Sequence, residues 1–320
     1  MAEFALIETI RRRCAHLRDD VVLGIGDDAA VLAVPPDCEL VVCTDTLVAG
    51  VHFPLETSAA DIGWKSLAVN LSDLAAMGAT PAWALLALTL PTADTGFVAG
   101  FADGFAALAA EHGVSLIGGD TTSGPLTITI TVHGLIPQGR ALRRDGARAG
   151  DAVWISGTLG DAAAALRYRN GADGMSAQSR ASLQARLGRP QPRVALGILL
   201  REFASSCIDI SDGLLADLDH VAAASGVGIE IEAARLPASP ALRQLVPAEE
   251  RLALQLAGGD DYELAFTVAP ERIPMLQQAL SRISMQTTQV GRVVEGTGVR
   301  ALDTEGRPLN PPTSGWEHFA

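Results

Sequence analysis

Six short segments pair glycine or a hydroxyl residue with aspartate: Gly24-Ile25-Gly26-Asp27-Asp28, Thr44-Asp45-Thr46, Asn70-Leu71-Ser72-Asp73, Gly118-Gly119-Asp120-Thr121-Thr122, Asp209-Ile210-Ser211-Asp212-Gly213 and Gly258-Gly259-Asp260-Asp261. Carboxylates and hydroxyls are hard oxygen ligands, suited to Mg²⁺ or Ca²⁺ rather than to softer metals. Glycine lets the backbone come close to phosphate oxygens. A single Gly-Asp is ordinarily a turn or a helix cap; the set points further. Asp27 and Asp28, Asp209 and Asp212, and Asp260 and Asp261 are close like-charged pairs, which repel unless a cation or a donor sits between them and are costly to bury otherwise. The expected chemistry is metal-assisted handling of phosphate. A calcium EF-hand does not fit, because Asp209-Ile210-Ser211-Asp212-Gly213 has its glycine at the fifth position and lacks acids at the required spacing.

Other chemistries lose ground by count. The chain has one lysine, Lys65, preceded by Trp64, so it contains no Walker A loop, which needs Gly-Lys-Ser/Thr. The protein-kinase motif set is missing as well. Cys14, Cys38, Cys43 and Cys207 form no C-x-x-C pair, which leaves no zinc or thioredoxin-type signature and suits reduced packing residues. No Ser/His/Asp or Cys/His nucleophile set stands out. His52, taken alone, reads as structural. Trp316 packs the tail or closes over a flat ligand.

The elements that must position these residues follow from apolar periodicity. Helices are expected at about 3–18, 60–77, 95–112, 160–169, 178–187, 192–204, 213–225 and 271–283. Strands are expected at 29–34, 39–45, 82–90, 114–117, 126–136, 152–156, 207–210, 227–232, 262–268 and 286–293. The Thr/Ile alternation over 127–131 predicts one solvated face, and Asn70 and Asp73 fall on one helix face. The Arg- and Gly-rich stretch 138–150 reads as a linker between residues 1–137 and residues 151–320, a division that suits 320 residues.

Composition bounds the rest. Apolar residues make up 48% of the chain, enough for a substantial core, and the net charge of −13 argues against a nucleic-acid partner. No apolar run reaches the ~20 residues that span a bilayer, and the N-terminus has no signal-peptide core. The expected location is the cytoplasm, without membrane attachment.

Taken in order, Gly24–Ala30, Asp45–Phe53, Lys65–Ala79, Gly118–Thr122, Asp209–Gly213 and Gly258–Leu264 resemble the thiamine-monophosphate kinase family, in the superfamily of aminoimidazole ribonucleotide synthetase. The likeness runs from Gly24 to the Trp316–Phe319 tail. It implies a two-domain α/β fold of α+β type, with mixed sheets, flanking helices and the active site between the domains. The N-terminal domain would bind ATP and metal and form a homodimer. It implies ATP-dependent phosphorylation of thiamine monophosphate to thiamine diphosphate with several Mg²⁺ ions. By position, Asp28, Thr44, Asp45, Asp73, Asp120, Asp209 and Asp212 match magnesium ligands, with Cys43 contributing through its backbone. Gly119, Asp120, Arg144 and Ser211 match ATP-binding positions, and His52, Asp260 and Trp316 match positions that hold the thiamine phosphate. One departure stands out: the family usually reads Gly-Gly-Glu-Asp, and here Asp260 replaces the glutamate.

The physical chemistry of that reaction suits the residues. A phosphate monoester already carries nearly two negative charges near neutral pH and needs no general base. The obstacle is the approach of one polyanion to another, which metals relieve while fixing in-line geometry. Direct transfer without a phosphoenzyme is expected. Two other readings stay open: a different ATP-using synthetase of the superfamily, and a non-enzymatic Mg²⁺–nucleotide-binding regulator. The selenophosphate-forming branch would need an early reactive cysteine, and only Cys14 precedes Gly24, inside an expected helix.

Overall fold

The computed structural model describes residues 2–170, 176–283, 285–309 and 315. The chain divides into two compact units, Met1–Leu74 with Ala79–Ala141, and Ala75–Gly78 with Leu142–Ala320.

Unit 1 carries a four-stranded sheet. Helix α1 (Ala2–Arg13) is followed by the short strands β1 (Val21–Leu23) and β2 (Val31–Leu32), then β3 (Cys38–Val48), α2 (Ala59–Ala76), β4 (Thr80–Leu90), α3 (Thr95–His112), β5 (Ser115–Ser123) and β6 (Thr127–Pro137). The sheet order is β3-β6-β4-β5, antiparallel except for the parallel β4–β5 pair. In β6, Ile128, Ile130 and Val132 are fully buried while the intervening threonines are half-exposed, as the alternation predicts. The helices close the buried face: Leu67, Leu71, Leu74, Phe101, Phe105 and Leu108 are almost entirely covered. Helices α2 and α3 cross at Gly104, where an added Cβ would lie 1.8 Å from the Ala60 carbonyl oxygen, so no other residue fits. Helix α3 begins where Asp94 accepts N–H bonds from Gly96 and Phe97 and ends at Gly113 in the left-handed region.

Unit 2 comprises β7 (Ala152–Ser156), α4 (Asp161–Arg167), α5 (Ala177–Gly188), α6 (Val194–Leu200), β8 (Ala204–Ile210), α7 (Leu214–Ser225), β9 (Gly228–Glu232), α8 (Pro240–Leu245), α9 (Ala248–Ala257), β10 (Glu263–Val268), α10 (Ile273–Leu280), β11 (Thr287–Val294) and β12 (Gly298–Leu302). Its sheet runs β12-β9-β11-β7-β10-β8, with only β12–β9 parallel. The core joins Val153, Ile155, Ile208, Ile210, Ile229 and Ile231 of the sheet to Leu214, Leu218 and Val221 of α7.

Several expectations shift. Helix α1 stops at Arg13, after its buried residues Leu6 and Ile10; Leu17, counted into the helix by pattern, is exposed. Strands β1 and β12 and helices α8 and α9 were not anticipated. The segment read as a linker packs on unit 2 from Leu142 onward: Leu142 and Ala147 are buried, Cys207 N–H donates to the Arg143 carbonyl, and Ala147 N–H donates to Ser225 Oγ.

Candidate active site

In unit 1 the strand ladder sorts the candidate ligands by face. Thr44 lies opposite Thr131, Asp45 opposite Ile130 and Thr46 opposite Thr129. Alternation therefore puts Cys43, Asp45 and Leu47 on the face of the buried Ile128, Ile130 and Val132. There Cys43 Sγ donates to the Asn70 carbonyl of α2 at 3.5 Å. Thr44 and Thr46 occupy the opposite face, where Thr131 Oγ1 donates to Thr44 Oγ1 and the Thr46 and Thr129 hydroxyls share a hydrogen bond. The register runs from Thr46 through Thr129 and Ala87 to Asp120, so Asp120 stands exposed on the threonine face. Asp45 and Asp120, read alike from sequence, thus sit on opposite faces of one sheet.

Asp73 is half-buried on α2, three residues after the fully buried Asn70. Asn70 Nδ2 donates to the Ser66 carbonyl, and its Oδ1 is a buried acceptor with no hydrogen-bond partner among the described residues. Asp27 and Asp28 are exposed in the loop after β1, and Asp27 caps its neighbour by accepting the Asp28 N–H. A backbone donor thus relieves part of that pair's repulsion. Gly119 has a plain packing reason: at φ 150° an added Cβ would lie 1.8 Å from the Leu86 carbonyl oxygen on β4. Gly119 therefore makes room for the neighbouring strand.

His52 sits in the turn after β3, with its N–H on the Val48 carbonyl. The Val48 N–H donates to His52 Nδ1 at 3.0 Å, so in the neutral ring the proton is on Nε2, which becomes a donor. Lys65, 2% exposed, donates from Nζ to the His52 carbonyl at 3.1 Å. Sequence reasoning gave Lys65 no role in the site; its burial on an apolar helix shows a supporting role for the His52 turn.

In unit 2, β8 ends at Ile210 and Ser211-Asp212-Gly213 leads into α7. Asp217, buried on the first turns of α7, accepts the N–H groups of Ser211 (3.0 Å), Asp212 (3.2 Å) and Gly213 (3.1 Å) on one oxygen. Burial, with the Asp209 charge adding to it, pushes the Asp217 carboxyl up to about 7, against the Gly213 N–H bond that favours the anion. No motif flagged Asp217.

The Gly258–Tyr262 segment hooks onto the same loop: Asp260 N–H donates to the Ser211 carbonyl and Tyr262 N–H to the Ile210 carbonyl, both at 2.8 Å. Asp260 (φ 68°) and Tyr262 (φ 50°) are both left-handed. Such residues cost of order 1–3 kcal/mol each and persist where the surroundings over-determine them. Asp260 is half-buried and accepts from Tyr262 Oη at 3.0 Å. Asp261 turns the other way, is buried, and takes the Gly160 N–H on both oxygens. The adjacent Asp260–Asp261 pair therefore does not converge on one cation. Arg144 is exposed and makes no ion pair among the described residues; its carbonyl accepts from Ser225 Oγ, which fixes the backbone and leaves the guanidinium outward. Trp316 lies outside the described residues.

Among the described residues, no three His, Cys, Asp or Glu side chains gather closely enough to hold a metal. The donor set nonetheless fits magnesium. Mg²⁺ keeps several waters and takes one or two carboxylates plus substrate phosphates, without an all-protein cage. The ligands are hard oxygens, and the buried Asn70 Oδ1 adds an unused acceptor beside Cys43.

The family model for AIR synthase related protein, N-terminal domain, matches residues 26–136, and that for its C-terminal domain matches residues 148–303. The chain is 44% identical to the thiamine-monophosphate kinase of Escherichia coli K12 over 319 residues, 99% of this chain and 98% of the relative. Among solved structures it is similar to the thiamine-monophosphate kinase of Stenotrophomonas maltophilia, with 51% identity, a TM-score of 0.88, and 97% and 98% of the two chains covered. It is also similar to AaThiL solved in complex with AMPPCP and TMP, with 34% identity, a TM-score of 0.78, and 99% and 97% covered.

Proposed function

Because the chain belongs to the AIR synthase related family and, within it, to the thiamine-monophosphate kinases, we propose that it transfers the γ-phosphoryl group of ATP to thiamine monophosphate, giving thiamine diphosphate and ADP. The observation that carries this reading is full-length likeness, at 34% identity, to a structure holding an ATP analogue together with TMP.

Asp28, Thr44, Asp45, Asp73 and Asp120 of unit 1, the Cys43 carbonyl, and Asp209 and Asp212 of unit 2 are the groups that would hold Mg²⁺. Bound metal would neutralise charge on the phosphates and hold donor and acceptor in line. The protein's own residues do the rest. Gly119 and Ser211 offer backbone and hydroxyl groups to the nucleotide, and Arg144, with no carboxylate partner among the described residues, offers a planar fork of donors to its phosphates. His52 presents Nε2–H to the thiamine phosphate from a turn fixed by Val48 and Lys65. Asp260 and Trp316 are the further residues that would hold the same substrate. The acceptor oxygen is already anionic, so no side chain acts as general base, and the phosphoryl group passes directly between substrates without a phosphoenzyme.

The protein works as a homodimer through its N-terminal unit. Supporting this, β3 is the outer strand of its sheet and exposes Leu40 (46%) and Val42 (52%) on one face, the kind of edge that monomers protect. It works in the cytoplasm; among the described residues, no helix is long and apolar enough to cross a membrane.

A coupled assay of ADP release, with and without thiamine monophosphate, tests the reading. Release that depends on thiamine monophosphate supports it. Release without any acceptor, or release only with another superfamily substrate, overturns it, and no release under any condition favours a nucleotide-binding regulator.

A further inference from the structure

Behind the Asp260 turn lies a buried charge network that the reaction does not use. Glu263, the first residue of β10, is 0% exposed. Its carboxylate accepts from Ser156 Oγ at 2.5 Å, from Arg186 Nη2 at 2.7 Å and from Arg193 Nε at 2.6 Å, with Arg193 Nη2 closing a bidentate pair. Ser156 Oγ in turn accepts the Leu264 N–H, so the side chain of β7 locks the start of β10. Arg186 Nη2 also reaches the Asp261 carbonyl at 3.5 Å, and its Nε lies 3.8 Å from the buried Asp161. Asp161 is itself held by Thr158 and Ser239 hydroxyls. Three buried carboxylates, Asp161, Asp261 and Glu263, thus meet two guanidinium groups around one short stretch of backbone.

That stretch is the left-handed turn. Asp260 and Tyr262 alternate with Asp261 and Glu263, so every second side chain points into the network while Asp260 does not. Anchoring comes from both sides: the Asp260 and Tyr262 N–H groups hold the Ser211 and Ile210 carbonyls, and the Asp261 and Glu263 carboxylates hold Gly160, Arg186 and Arg193. Two non-glycine residues with positive φ, separated by one residue, need such over-determination. An ion pair whose carboxylate is fully buried and whose arginines are mostly covered is poor evidence for stability as such, and fixing one conformation is its better-attested use.

We propose that Arg186 and Arg193, acting through Glu263 and Asp261, are positioning residues that hold the Asp260–Tyr262 turn so that the Asp260 carboxylate meets thiamine monophosphate. The proposal rests on the reading of Asp260 as a substrate contact. In this role the arginines act through Glu263 and Asp261 and bear on the acceptor side only.

A double-mutant cycle tests it. Asp260→Asn, Arg186→Gln and the double variant are compared for KM of thiamine monophosphate, KM of ATP, and binding of a non-hydrolysable ATP analogue. Arg186→Gln should raise KM for thiamine monophosphate about tenfold and leave the ATP values within about twofold. In the Asp260→Asn background the same substitution should add less than about twofold, because its effect passes through Asp260. Arg193→Lys, which keeps the charge but not the bidentate geometry, gives an intermediate shift and serves if Arg186→Gln folds poorly. Effects that add in the double variant, or that fall equally on ATP, overturn the positioning role while leaving Asp260 as a contact. A silent Asp260→Asn overturns the substrate reading of Asp260 and the proposal with it.

Discussion

The acids of the two units are built in opposite ways. In unit 1, Asp28 and Asp120 stand exposed, with Asp45 and Asp73 half-covered at the sheet and on α2. In unit 2, Asp161, Asp209, Asp217, Asp261 and Glu263 are all buried. Asp217, Asp261 and Glu263 are wrapped by backbone N–H groups or arginines. Exposed acids keep most of their hydration and cost the fold little, so they are available to a cation arriving with a nucleotide. Buried acids carry a desolvation cost that only donors already in place can offset. In the proposed reading the first set, with Asp209 as a buried member from unit 2, serves ligands, while Asp161, Asp217, Asp261 and Glu263 serve the shape of the loops that meet ligands, although both are written with the same short Gly/Asp words.

The contrast can be broken by measurement. The largest effect belongs to the first set: Asp45→Asn or Asp120→Asn should lower kcat by more than ~10²-fold at saturating Mg²⁺, as when a charge-stabilising group is lost. Thermal midpoints should move by no more than about 2 °C. A near-normal kcat would remove that residue from the ligand set. Next comes Glu263→Ala, which strands two guanidinium groups. Urea unfolding should show a loss of about 3–5 kcal/mol, and a loss under about 1 kcal/mol would mean the network is not the anchor described above. A smaller effect is expected at Asp260→Glu, the residue usual in the family. Asp tolerates the left-handed region better than Glu, so a stability loss under about 1 kcal/mol should accompany KM values for thiamine monophosphate within about threefold of the parent. The smallest readout is thiol reactivity. Burial, with Asp103 nearby, pushes the Cys14 thiol up to about 12, and burial raises that of Cys207. Iodoacetamide at pH 8 should therefore label the half-exposed Cys38 while the folded protein protects Cys14 and Cys207, as peptide mass mapping would show.

Much of the scaffold was legible because its signals are local. Helix α3 follows its apolar period between an Asp cap and a Gly stop, and β6 follows its Thr/Ile alternation. Helix α8 was missed although Ser239-Pro240 is a start signal, with Ser239 Oγ accepting the Leu242 N–H; six residues are too few for periodicity to register. The candidate residues were legible as a list, yet their grouping was not. Whether Asp45 and Asp120 share a face depends on register across four strands, which no local pattern encodes. Likewise, Asp260 and Asp261 looked like a repelling pair in need of a cation or a donor between them, and a left-handed backbone sends them in opposite directions. The burial of Asp217, of Glu263 and of the arginines that pair with Glu263 left no trace because a buried polar residue in a strand or helix looks, in sequence, like a solvated one.

The account stands most directly on following a labelled γ-phosphate. With [γ-³²P]ATP, thiamine monophosphate and Mg²⁺ in a single turnover, the label should pass to thiamine diphosphate, with none on the protein at any time and none released as inorganic phosphate beyond background. Label on the protein during turnover would contradict direct transfer. Label that never reaches thiamine diphosphate would contradict the assignment of the acceptor itself.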